Sequence, residues 1–304
     1  MNINRRDLLV SAPIATAAFA AGVLPAAAYT KPANKNVKWG VSTNIWDQTK
    51  APYGEILDDM KETGFIGIRL RGFPGILERW GVTQAQLHNE FSRRGLQVLT
   101  ISFSGPLYDP AQRQKALDSA REAMKFLADF GAHHLVVFSP GRKPETATPA
   151  AFKELCERCN QIGELAGQMG FTAGLHNHMG QMVQGPEEVD RFMSMTDPKL
   201  FGLSPDTAHL HLGGSDVVQV LSKYRDRIKF LDYKDAKRNQ PSFREAIVDL
   251  GDGEVDFPGC HQVLKSISYK GFVCVDLDTA RLGPRADYQR CGDYVVSKLQ
   301  PIYL

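Results

Sequence analysis

The chain is dominated by one alternation: a short apolar run followed by a longer amphipathic one, eight times between Lys38 and Leu299. The apolar runs are Lys38–Trp46, Phe65–Arg71, Leu96–Phe103, His133–Phe138, a run closing on Leu175-His176-Asn177-His178, Phe201–Pro205, Ile228–Tyr233 and Gly271–Leu277. Between them, Tyr53–Thr63, Leu77–Arg94, Asp109–Phe130, Pro149–Met169, Pro186–Met195, Val217–Tyr224, Pro258–Ser268 and Asp287–Leu299 show helical spacing. Gly64, Gly95, Gly131 and Gly170 stand where four of these helices must stop. Strands that alternate with helices require a parallel sheet, and eight such units close into a barrel. The expected fold is α/β, a single-domain (β/α)8 TIM barrel over residues 38–304. An open doubly wound sheet is disfavoured, because no G-x-G-x-x-G follows the first strand.

Residues 1–28 read differently. Arg5-Arg6 precedes an apolar, alanine-rich run, and Pro25-Ala26-Ala27-Ala28 supplies the small residues of a cleavage site. This is the pattern of a twin-arginine export signal, with a linker at 29–37 and a periplasmic destination. No later segment approaches the roughly 18 apolar residues of a membrane span, so no membrane contact is expected once the signal is removed. A net charge of +2 argues against a nucleic-acid partner. The odd count of five scattered cysteines argues against a complete disulfide framework. A small-molecule ligand remains, with homo-oligomer formation left open.

The candidate chemistry gathers at the C-terminal ends of the last four strands. Strand five ends in His176, Asn177 and His178. Strand six runs into Asp206 and His209, strand seven carries Asp232 and Lys234-Asp235, and strand eight carries Asp276 and Asp278. In a barrel these ends share one rim. Singly, such a His is an ordinary hydrogen-bonded residue and such an Asp a helix cap. Four neighbouring strands converging imidazoles and carboxylates instead suit a divalent cation with open positions for substrate oxygens.

The stretches LHNHMG (175–180), EEVDRFMSMTDPKL (187–200), DTAHLHLGG (206–214), YKDAKR (233–238), LGDGEVDFPG (250–259) and GFVCVDLD (271–278) resemble the xylose isomerase-like superfamily of sugar isomerases and epimerases. Within it they are most similar to the inosose dehydratase branch. The resemblance implies one divalent metal ion (Mn2+, Co2+ or Zn2+) on ligands from strands five to eight, here His176, Asp206, Asp232 and Asp276. The family commonly has Glu, Asp, His and Glu in those places, so this chain departs at three of them.

Such a site implies a metal-dependent isomerase or epimerase acting on a keto-sugar or keto-cyclitol through an enediolate. The acid–base candidates are His178, His209, Lys234 and Asp276. Expelling a β-hydroxyl instead would make the protein an inosose dehydratase-like or keto-glycoside lyase. The three departures also admit a non-catalytic periplasmic sugar-binding barrel. Trp46 and Phe103 are candidates for stacking on a sugar ring or for core packing. Arg69, Arg142 and Asn177 are candidate substrate contacts, and Lys234 either anchors a substrate oxygen or pairs with Asp235.

Overall fold

The computed structural model describes residues 37–303; the expected signal at 1–28 and linker residues 29–36 lie outside them. The strands are β1 (Val37–Ser42), β2 (Gly67–Leu70), β3 (Gln97–Phe103), β4 (His134–Phe138), β5 (Thr172–His176), β6 (Gly202–Leu203), β7 (Leu231–Tyr233), β8 (Asp235–Ala236), β9 (Ile247–Val248) and β10 (Gly271–Val275). Eight of them form one sheet in the order β6-β5-β4-β3-β2-β1-β10-β7, and every pairing in it is parallel. Bridges Leu203↔Ile228 and Asp206↔Asp232 join its two edges. The sheet is thus a closed barrel, as the alternation requires.

The helices are α1 (Tyr53–Glu62), α2 (Gly75–Trp80), α3 (Gln84–Arg94), α4 (Arg113–Asp129), α5 (Pro149–Gln168), α6 (Pro186–Met195), α7 (Thr207–Leu212), α8 (Val217–Lys223), α9 (Phe243–Ala246), α10 (Phe257–Ser266) and α11 (Pro284–Tyr294). The single helix expected over Leu77–Arg94 is two. Gly81 closes α2 in the left-handed conformation (φ 63°), and Thr83 starts α3 with a capping box to Gln86. A short helix unseen in the sequence, α7, leaves β6 directly: Asp206 accepts the His209 amide at 3.0 Å as its N-cap. The excursion before α10 is also ordered, as the antiparallel pair β8–β9 with α9 between them.

Side chains along each strand alternate between two cores. Val37, Trp39 and Val41 belong to the large core between barrel and helices. Leu99, Val136, Phe230 and Cys274 form a separate small cluster. Leu99 lies over Gly40 and Gly67: a Cβ on Gly40 would stand 2.4 Å from Leu99 Cδ1. Glycine is required there because the barrel's interior has no further volume.

The five cysteines are free and buried, and among the described residues no helix is long and apolar enough to cross a membrane.

Candidate active site

The period of two that fills the barrel also builds the site. Along β5 and beyond, Gly174, His176 and His178 share a face; so do Asp232 and Lys234 from β7, and Cys274, Asp276 and Asp278 from β10. β2 adds Arg69, where the β2–β3 register shifts between Ile68 and Arg69. A bulge of this kind re-aims a side chain. The extra residue is Leu99 on β3; Arg69 itself follows Gly67 onto the barrel's inner face by alternation, where its guanidinium meets Asp232 and Asp276.

The result is a buried charge cluster. Arg69 Nε lies 3.3 Å from Asp232 Oδ1, and its Nη2 lies 2.8 Å from Asp276 Oδ2. Lys234 Nζ lies 3.1 Å from Asp206 Oδ2, 2.7 Å from Asp276 Oδ2 and 2.9 Å from Asp278 Oδ2. Asp235 takes no part. Its carboxylate accepts the backbone amides of Ala236, Gly251, Gly253 and Val255, tying the β8–β9 excursion to the barrel. Lys234 therefore pairs with acids of β6 and β10, not with its neighbour in sequence.

Three imidazoles line the opening. His176 is sandwiched beside Phe138, with ring centroids 4.1 Å apart. The rings of His178 and His209 approach to 3.7 Å. Phe243, on α9, stacks on His209 at 5.1 Å with the planes 3° apart, and it is 39% exposed. The site thus grades from a sealed ionic floor to a half-open aromatic roof.

The charges follow from burial. It pushes Asp206 up to about 6 against the pull of Lys234. It also raises Asp232, despite Arg69. Burial opposes ionisation of Asp276 as well, but Lys234 and Arg69 outweigh it and hold that carboxyl below the usual range. Burial, then Lys234, lowers both His178 and His209, so both imidazoles are neutral near pH 7.

His176, Asp206 and His209 form a group able to hold a metal, with one ligand atom from each lying within 4.8 Å of the others. Asp206 Oδ2 is buried, 3.1 Å from Lys234 Nζ, and stands 3.9 Å from both His176 Nε2 and His209 Nε2. Two imidazoles and a carboxylate are the mixed nitrogen–oxygen donors that a small divalent ion takes.

The structure places the remaining candidates elsewhere. Asn177 accepts the Asp206 amide at 3.0 Å and donates to the Asp206 carbonyl at 3.3 Å, so its amide is fixed on backbone. Arg69 is 2% exposed and ion-paired. Trp46 lies on a turn behind the rim, stacked on Tyr288 at 4.9 Å, and Phe103 belongs to the large core. Both rings are buried. Arg142 points outward to Glu188 at 2.9 Å. Phe243 was missed in the sequence, although Ser242 with Glu245 three residues on is a helix-start signal.

Comparison with known proteins agrees with this architecture. The family model described as "Xylose isomerase-like TIM barrel" matches residues 57–290. An inosose dehydratase from Lactiplantibacillus plantarum is 28% identical, covering 88% of this chain and 98% of that protein. The crystal structure of the IOLI protein with a bound zinc atom superposes with a TM-score of 0.72 at 18% identity, covering 86% of this chain and 99% of that one. That of 3-keto-D-glucoside 4-epimerase from E. coli gives 0.68 at 18% identity, covering 85% and 98%. Closed parallel barrel, rim chemistry and family match coincide, and the chain belongs to the xylose isomerase-like TIM barrel family.

Proposed function

We propose that this protein is a lyase of the inosose dehydratase type, removing water from a keto-cyclitol or keto-sugar. The observation that carries the reading is the pairing of a neutral base at the mouth with a fixed ammonium below it. His178 faces the Met179 carbonyl through Nδ1 at 2.7 Å, which leaves Nε2 to accept a proton. Lys234, held by three carboxylates, is a fixed positive charge for an enolate oxygen. The similarity to a curated inosose dehydratase over nearly its whole length supports the same reading.

In this reading His178 takes the proton from the carbon next to the carbonyl. The freed electron pair forms the C=C bond as the β C–O bond breaks, and the proton on His178 passes to the departing hydroxyl, which leaves as water. Phe243 covers the apolar face of the ring and keeps bulk water from the enolate. A divalent ion (Mn2+, Co2+ or Zn2+) on His176, Asp206 and His209 would, when bound, polarise the substrate carbonyl. The zinc bound in the IOLI structure supports a metal ion in a barrel of this fold.

Isomerisation or epimerisation is the second reading. The close approach of His178 and His209 supports it, because two adjacent imidazoles can remove a proton and return one elsewhere. We further propose that the folded chain acts in the periplasm, after export on its twin-arginine signal.

Incubation with a panel of inososes and keto-sugars in deuterated water separates these outcomes. Loss of water with new enone or dione absorbance is expected. Deuterium incorporation without water loss would assign the isomerase reading, and ligand binding with neither a non-catalytic barrel.

A further inference from the structure

One acid at the mouth has no chemical role in the reaction proposed above. By alternation along their strands, His178 from β5, Lys234 from β7 and Asp278 from β10 stand one layer above His176, Asp232 and Asp276. The Asp278 side chain is 21% exposed, whereas Asp206 and Asp276 are closed off. Its Oδ1 already accepts the Asn44 amide at 2.6 Å, and Asn44 is anchored on the Leu277 carbonyl and by Arg71. Its Oδ2 lies 2.9 Å from Lys234 Nζ. An ammonium has three N–H donors. Those of Lys234 meet Asp276 Oδ2 at 2.7 Å, Asp278 Oδ2 and, at 3.1 Å, Asp206 Oδ2, with His209 Nε2 a fourth neighbour at 3.4 Å. A carbonyl oxygen entering from the mouth therefore reaches Lys234 only by taking the donor that Asp278 holds.

We infer that Asp278 determines specificity by accepting a hydroxyl on the carbon next to the substrate ketone. The inference rests on the enolate chemistry proposed above and narrows its substrates to α-hydroxyketones. When the carbonyl takes an N–H of Lys234, Asp206 and Asp276 still neutralise the ammonium. Asp278 Oδ2, however, is left as a charged acceptor without a donor, which is unfavourable in a half-closed site. A hydroxyl beside the ketone restores that donor. The Lys234 N–H passes from Asp278 to the carbonyl, the substrate O–H takes its place on Oδ2, and no proton changes owner. A plain ketone makes the first contact and cannot make the second. The order of strands fixes which hydroxyl is read. β10 pairs with β7, whereas β6 lies between β7 and β5. With the carbonyl on Lys234, Asp278 meets one flank of the ketone and His178 the other. The hydroxyl on Asp278 is therefore on the carbon that keeps its proton.

The test compares an inosose with its analogue lacking both hydroxyls beside the ketone, so that a turned ring cannot substitute one for the other. Each is offered to wild type and to Asp278→Ala, with affinity read by calorimetry, kcat/KM by turnover and folding by circular dichroism. Wild type prefers the inosose by at least about 10–100-fold, the range of a hydrogen bond to a charged group. In Asp278→Ala that preference falls about tenfold or more, whatever the absolute affinity or rate. An Asp278 that served only the fold would weaken both ketones alike, and a preference unchanged in the folded variant overturns the inference. A second measurement needs no variant: wild type that binds the two ketones equally, or binds neither, overturns it. Preference in affinity without turnover upholds the hydroxyl contact and refutes the lyase. Turnover without preference does the reverse, so the two failures are distinguishable.

Discussion

Arg69 Nη2 lies 2.8 Å from Asp276 Oδ2, and both side chains are shut off from solvent. A buried pair of this kind gives little net stability over an apolar one, but removing a single partner leaves the other charge stranded. Of its two acids, Asp276 would keep Lys234 at 2.7 Å, and Asp232 is the one left without a permanent cation. Arg69→Met should therefore lower unfolding free energy by about 3–5 kcal/mol in a urea titration. A loss under about 1 kcal/mol would show that the cluster does not depend on this guanidinium.

His178 is the proposed base, and its fold contacts are modest. His178→Gln should cut turnover by about 10²–10⁴-fold, the range for a lost general base. Its urea midpoint should hardly move. Turnover within tenfold of wild type would remove His178 from the chemistry.

Phe243 presents a 39% exposed ring above His209. Phe243→Ala should raise KM about tenfold, as expected when apolar contact to the substrate is lost, and change stability by less than about 1 kcal/mol. If KM is unchanged and only the melting temperature falls, the ring serves packing and not the substrate.

His134 gives a pH prediction away from the site. Its nitrogens face Thr172 Oγ1 at 2.8 Å and Ser204 Oγ at 2.9 Å. Burial lowers its pKa from 6.5 to about 3. Between those values the unfolded chain holds a proton that the folded chain does not. Its contribution is complete above pH 6.5 and is lost as the pH falls toward 3, by up to about 1.4 kcal/mol per pH unit. Urea midpoints at pH 7.5 and 5.5 should differ less in His134→Asn than in wild type; an equal difference would place the sensitivity elsewhere.

The barrel was legible because its punctuation is chemical. Gly64, Gly95, Gly131 and Gly170 stand at positive φ just beyond the helices they end. Two-residue alternation likewise put His176 with His178 and Asp232 with Lys234. The misses have equally specific causes. Gly81 and Thr83 interrupt a pattern whose apolar spacing runs on across them. α7 spans six residues, too few to show a period. Arg69 turns inward by the same alternation, but its acid partners, Asp232 and Asp276, lie far along the chain, where no local pattern points to them. The partners of Lys234 come from β6 and β10, which sequence adjacency hides.

The barrel closes on its slightest joint. Two residues of β6 meet the approach to β7 through Lys229 N–H to the Leu203 carbonyl and Asp232 N–H to the Pro205 carbonyl, each 2.9 Å. Asp206 and Asp232 sit opposite one another across that joint. Whatever binds between their side chains works as a clasp on the ring itself. Occupancy of the site then becomes readable in slowed amide exchange at Lys229 and Asp232, on the backbone that the clasp holds shut.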